Sequence, residues 1–156
     1  MKRYVFDLDN TLVYTDSLNN EAYNFALRQQ NREEINNVKR ITRENVFSRY
    51  ILSENQQKRL ISEKQQYFIR HLDQLVKNEK LIRFIKSVSP QVCVLWTRAE
   101  VIRVEAILEE IQLKDHFSRI FYSKKNNIQE DLQEICEYFN CNKKDLVLYD
   151  DEFTEV

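Results

Sequence analysis

The chain has 156 residues, enough for one domain or a core carrying an inserted subdomain, and too few for two full-sized domains. Its 24 Lys and Arg against 25 Asp and Glu leave a formal net charge of -1, which argues against a nucleic-acid partner, and no apolar run approaches a membrane span. With 3 Cys, 2 His and no Gly, a disulfide framework, a His-rich metal centre and a glycine-rich phosphate loop are all excluded.

Met1-Lys2-Arg3 leads straight into a strand with no secretory pattern, so no membrane association and a cytoplasmic location are expected. Tyr4, Val5 and Phe6 read as a buried strand. From about Ser17 to Val88 only helix signals occur. Ser17 is expected to cap a helix holding Ala22, Phe25 and Ala26, and Thr42 one holding Val46, Tyr50 and Ile51. Ser53 opens the longest helix, with an apolar stripe through Leu60, Ile61, Tyr67, Phe68, Leu72 and Leu75, and Asn78 caps the next. Beyond Pro90 the pattern alternates. Strands at 91–96, 119–122 and 146–149 are separated by helices carrying Val104, Ile107 and Leu108, then Leu132, Ile135 and Phe139. Cys93 and Cys136 fall on apolar faces as reduced core residues. Without glycine, Asn140 is the expected left-handed residue at the end of its helix.

This order predicts an α/β fold: a Rossmann-like parallel sheet core with a helical cap inserted after strand one. Residues 1–15 and 79–156 are assigned to the core and 16–78 to the cap.

Ligands of open parallel sheets sit at the carboxyl ends of the strands. There the first strand delivers Asp7 and Asp9, which share a face if the extended conformation persists, and the second delivers Thr97. The third ends shortly before Lys124 and Lys125, and the fourth runs into Asp150 and Asp151. A strand followed by an Asp-Asn turn explains Asp9 and Asn10 alone. It does not explain acids, a hydroxyl and an ammonium delivered by four strands to one edge.

The run Asp7-Leu8-Asp9-Asn10-Thr11 resembles the first motif of the haloacid dehalogenase-like superfamily. Val94-Leu95-Trp96-Thr97 is similar to its second motif, Lys124-Lys125 to its third and Leu148-Tyr149-Asp150-Asp151 to its fourth. The resemblance implies Asp7 as a nucleophile that forms an aspartyl-phosphate, and Asp9 as general acid and then base. Thr97 would bind phosphoryl oxygens from the start of a helix, and Lys125, preferred over Lys124, would neutralise the phosphate. An Mg²⁺ ion would be held by Asp7, the Asp9 carbonyl and Asp151, with Asp150 in support and Glu155 as an outer acid. Asn126 stands where the family usually has a proline. The chain also stops soon after Asp151, where members usually continue through a helix and strand, so a C-terminally short core with a small sheet is expected.

The second acid, Asp9, favours phosphoryl transfer over dehalogenation. The expected activity is therefore Mg²⁺-dependent hydrolysis of a small-molecule phosphate ester. A phosphomutase of the same architecture and a binding or regulatory protein that has lost catalysis are the alternatives.

Overall fold

The computed structural model describes residues 1–150, and these divide into two compact units, Thr15–Leu75 and the remainder, Met1–Tyr14 with the chain from Val76 onward. The architecture is the expected Rossmann-like α/β core with an inserted helical cap. No helix among the described residues is long and apolar enough to cross a membrane.

The core is built on strands β1 (Arg3–Phe6), β4 (Cys93–Thr97), β5 (Arg119–Tyr122) and β6 (Leu146–Tyr149), all parallel, in the spatial order β5-β4-β1-β6. The register pairs Val5 with Val94 on one side and with Leu148 on the other. Helices α4 (Glu79–Ser87), α5 (Val101–Glu110) and α6 (Ile128–Phe139) make the connections. Val5, Val94, Trp96 and Phe121 from the strands close on Leu132 and Ile135 of α6 as one apolar cluster. Cys93 and Cys136 are buried free thiols, as their apolar neighbours dictate.

The cap unit holds α1 (Asp16–Gln29), α2 (Arg43–Arg49) and α3 (Glu54–Arg70), followed by a 3-10 turn at Leu72–Gln74. Its core gathers Tyr23, Ala26, Leu27, Ile35, Ile41, Val46, Leu52 and Leu60. The connection between α1 and α2 is tied down by asparagines of α1. Asn24 exchanges two hydrogen bonds with the backbone of Ile35 (2.9 and 3.1 Å), and the Asn19 amide donates to the Ile41 carbonyl at 2.9 Å. Thr42 and Ser53 cap α2 and α3 in full capping boxes, and the Asn78 side chain accepts from the Leu81 amide at the start of α4.

Several local expectations are corrected. The segment read as purely helical contributes strand pairing at both ends: β2 (Val13–Tyr14) and β3 (Val76–Lys77) form an antiparallel ribbon. Two residues are too few to display alternation. The first helix begins at Asp16 after Thr15, with Ser17 already inside its first turn. Tyr50 and Ile51 lie beyond α2, with Ile51 exposed, and Leu72 and Leu75 are buried from the 3-10 turn rather than from α3.

Three helices end in the same way. Arg32, Leu113 and Cys141 donate their amides to Leu27, Leu108 and Cys136, five residues back, while left-handed Asn31 (φ 56°), Gln112 (φ 59°) and Asn140 (φ 53°) donate three residues back. These are Schellman closures, whose pivot is normally glycine. Gln112 carries the poorest residue for that conformation, and its side chain is exposed. Replacing it with glycine is expected to stabilise the protein by about 1 kcal/mol, read as a shift in the urea midpoint with an unchanged slope.

Candidate active site

The ladder between β1 and β6 continues one residue past β1, where the Asp7 amide donates to the Tyr149 carbonyl at 2.8 Å. That bond sets Asp7 beside Asp150 at the carboxyl edge of the sheet. The chain then turns sharply. The amides of Leu12 and Val13 both reach the Leu8 carbonyl, at 3.0 and 3.3 Å, and Asn10 adopts φ 62°. The extended conformation therefore stops at Leu8, and Asp9 and Asp7 are brought close by a turn rather than by a shared strand face.

Lys125 is the hub. Its ammonium lies 3.4 Å from Asp7 Oδ1 and 3.1 Å from Asp150 Oδ2, and its side chain is only 5% exposed. Lys124 is exposed. A lysine buried to this degree is held only because carboxylates and hydrogen bonds replace its hydration.

Asp7 itself is undercompensated. Its carboxyl is raised from the usual 3.8 to about 6, chiefly by burial. Lys125 and the Leu8 amide, which donates to Asp7 Oδ1 at 2.8 Å, pull it down, while Asp150 and Asp9 push it up. Asp9 is near enough to be felt by Asp7, yet its own carboxylate is paired with the guanidinium of Arg103.

Thr97 ends β4, fully buried, and its hydroxyl accepts from the Ala99 amide at 3.0 Å. It was expected at the start of a helix, but α5 begins at Val101 with Glu100 as the preceding residue. The hydroxyl instead closes the turn that leads away from the strand. Asp151 and Glu155 lie outside the described residues.

Three participants escaped the sequence reading. Arg103 stands in the first turn of α5, where the helix dipole disfavours a cation. That local conflict was the available signal. Ser123 and Asp131 carried none. Ser123 sits in a polar turn, and Asp131, in the first turn of α6, already satisfies the dipole preference.

A parallel sheet whose first and last strands bring acids to one carboxyl edge, with a buried lysine between them and a helical cap inserted after the first strand, belongs to the capped α/β hydrolases. The profile of the haloacid dehalogenase-like hydrolases matches residues 4–156. The chain belongs to that family. No curated protein matches it by sequence.

Among solved structures, a predicted phosphoglycolate phosphatase from Haemophilus somnus 129pt superposes with a TM-score of 0.73 at 17% identity, over 95% of this chain and 76% of that one. A subfamily IA, variant 1 hydrolase of the superfamily from Geobacter sulfurreducens PCA gives 0.70 at 13% identity, covering 95% and 77%. A β-phosphoglucomutase from Clostridium difficile gives 0.64 at 19% identity, covering 95% and 75%. At these identities the likeness is one of fold.

Proposed function

We propose that this hydrolase is an Mg²⁺-dependent phosphatase of small phosphate monoesters, working through an aspartyl-phosphate at Asp7. The observation that carries the reading is the Lys125 ammonium held between the Asp7 and Asp150 carboxylates at the sheet edge. A carboxylate that must approach a phosphoryl dianion needs positive charge beside it, and Lys125 supplies one unit.

The carboxyl of Asp7 stays near 6 even with Lys125 alongside, so the site is short of positive charge. Its donors are all oxygens. That chemistry suits a hard dication held by the Asp7 carboxylate and the Asp9 carbonyl, with Asp150 in support. Among the described residues no three acidic, His or Cys side chains form a complete metal cluster, and Asp151 would supply the further ligand. A dication held there would supply charge neutralisation for the transferring phosphoryl group.

The chain's own residues then divide the work. Asp7 attacks phosphorus and is phosphorylated as the ester oxygen departs. Asp9 gives that oxygen a proton and later takes one from the attacking water, which releases inorganic phosphate and restores Asp7. Lys125 stabilises the phosphoryl oxygens. Thr97, by its place at the end of β4, contributes its hydroxyl to the same group. Substrate selection is assigned to the inserted helical segment, residues 16–78.

The test is a panel of phosphate esters assayed with Mg²⁺ and again with a chelator. Phosphate release that stops with the chelator, together with a hydroxylamine-sensitive phosphate label on the protein, is expected. Absence of release from every ester while calorimetry records bound Mg²⁺ rejects the reading. Conversion of a sugar phosphate to its isomer without net release assigns a phosphomutase instead.

Asp9→Asn separates the two half-reactions. Alkyl phosphates, which need protonation of the leaving oxygen, are expected to lose about 10²- to 10⁴-fold in kcat/KM, whereas an aryl phosphate loses clearly less. Equal losses on both esters remove the general-acid role.

A further inference from the structure

Lys125 reaches the carboxylates from a loop, on a flexible four-carbon stem, and its backbone is left-handed at φ 56°. Such a residue needs something to fix its direction. Its amide donates to Ser123 Oγ at 2.9 Å, and the same hydroxyl donates to Asp131 Oδ2 at 2.5 Å. The one tryptophan of the chain, Trp96, donates its indole N–H to that carboxylate oxygen at 3.0 Å. The circuit then closes, because the Lys125 ammonium lies over the Trp96 ring, 4.3 Å from its centroid.

Three elements meet in this ring of contacts. Trp96 comes from β4, Asp131 from α6, and Ser123 and Lys125 from the loop after β5. The ammonium has three N–H groups. Asp7, Asp150 and the indole face provide three seats for it, because the ring's electron-rich face attracts a desolvated cation.

We propose that Asp131 is the positioning residue of Lys125: through Ser123 it fixes the lysine backbone, and through Trp96 it orients the aromatic face on which the ammonium rests. This rests on the reading of Lys125 as the residue that stabilises the phosphoryl group. Asp131 touches neither Asp7 nor substrate in this scheme and acts only by aiming the charge. A misplacement of about 1 Å at a reacting centre can cost roughly 10²-fold in rate, so a residue of this kind has a measurable effect.

The experiment is a double-mutant cycle on an aryl phosphate, whose good leaving group keeps residual turnover measurable. Asp131→Ala is expected to lower kcat by about 10- to 100-fold in the wild-type background, with a smaller change in KM. In a Lys125→Met background the same substitution should change kcat by less than about twofold, because there is no ammonium left to aim. Equal losses in both backgrounds show a general structural role and overturn the proposal.

Ser123→Ala gives a second arm that needs no turnover and so stands apart from the phosphatase reading. Trp96 is the only tryptophan, so its emission reports the charge over its ring. Lys125→Met is expected to shift that emission, and Ser123→Ala to shift it in the same direction. A shift in both supports the positioning even if no phosphate ester is turned over. Wild-type emission in Ser123→Ala, with a shift in Lys125→Met, overturns it.

Discussion

Asp7→Asn is expected to abolish phosphate release and, at the same time, to make the metal-free protein more stable at pH 7. Both effects come from one buried carboxylate. The amide keeps the shape of the side chain and can still accept the Leu8 amide, but it cannot attack phosphorus. The stability effect follows from proton linkage. The carboxyl titrates near 6 in the folded chain and near 3.8 when unfolded, so between those values the folded state binds more protons.

Stability therefore falls as pH rises through the window from about 4 to 6, the reverse of a salt-bridged aspartate. A shift of that size corresponds to at most about 3 kcal/mol at neutral pH, which the neutral amide would recover. Thermal unfolding of both forms in chelator at pH 4 and pH 7 checks it. The variant should gain at pH 7 and gain little at pH 4. Turnover equal to wild type sinks the nucleophile assignment, and an unchanged midpoint at pH 7 sinks the account of burial.

Lys125→Met is expected to have the opposite effect on stability, with turnover lowered rather than abolished. Removing the ammonium leaves Asp7 and Asp150 facing each other with no positive charge between them in a site that Lys125 fills at 5% exposure. Breaking a buried pair in this way typically costs about 3 to 5 kcal/mol. It also removes a charge aimed at the reacting group, for which about 10²- to 10³-fold in kcat is the expected scale. Added Mg²⁺ should restore part of the stability, because a dication can reoccupy the acidic edge, but not the rate. Lys124→Met serves as the control, since that side chain is exposed and should change neither quantity. A catalytic loss in Lys124→Met equal to that in Lys125→Met would reverse the assignment.

What the residues disclosed in advance divides along physical lines. Strands β5 and β6 were legible with their observed limits, because each is a short apolar run bounded by polar turns. The ribbon of β2 and β3 was not, because its pairing joins residues more than sixty apart and is too short to leave a period. The start of α1 was misread for a related reason. Thr15 makes no side-chain capping bond, so the usual signature pointed to Ser17 instead.

At the site, Asp7, Lys125 and Asp150 were legible as a group because a parallel sheet delivers strand ends to one edge, and they do meet. The partners that orient them were hidden. The bonds from Arg103 to Asp9 and from Trp96 to Asp131 span 94 and 35 residues, and such pairs leave no local pattern. Thr97 was placed at the correct edge but not in its observed local setting, since its hydroxyl accepts from the Ala99 amide in a turn and α5 begins only at Val101.

The absence of glycine has a consequence for how this protein melts. Among the described residues six hold positive φ without being glycine, a cost carried by the native state, while a backbone with a side chain at every position has fewer conformations to gain when released. A smaller entropy of unfolding makes the midpoint temperature more responsive, because the shift in Tm per kcal/mol varies inversely with that entropy. Ligand binding, protonation or a single relieved turn should therefore move the melting curve of this chain further along the temperature axis than the same free energy would in a glycine-rich domain of equal length. That makes thermal shift a sensitive first screen of candidate phosphate esters for binding.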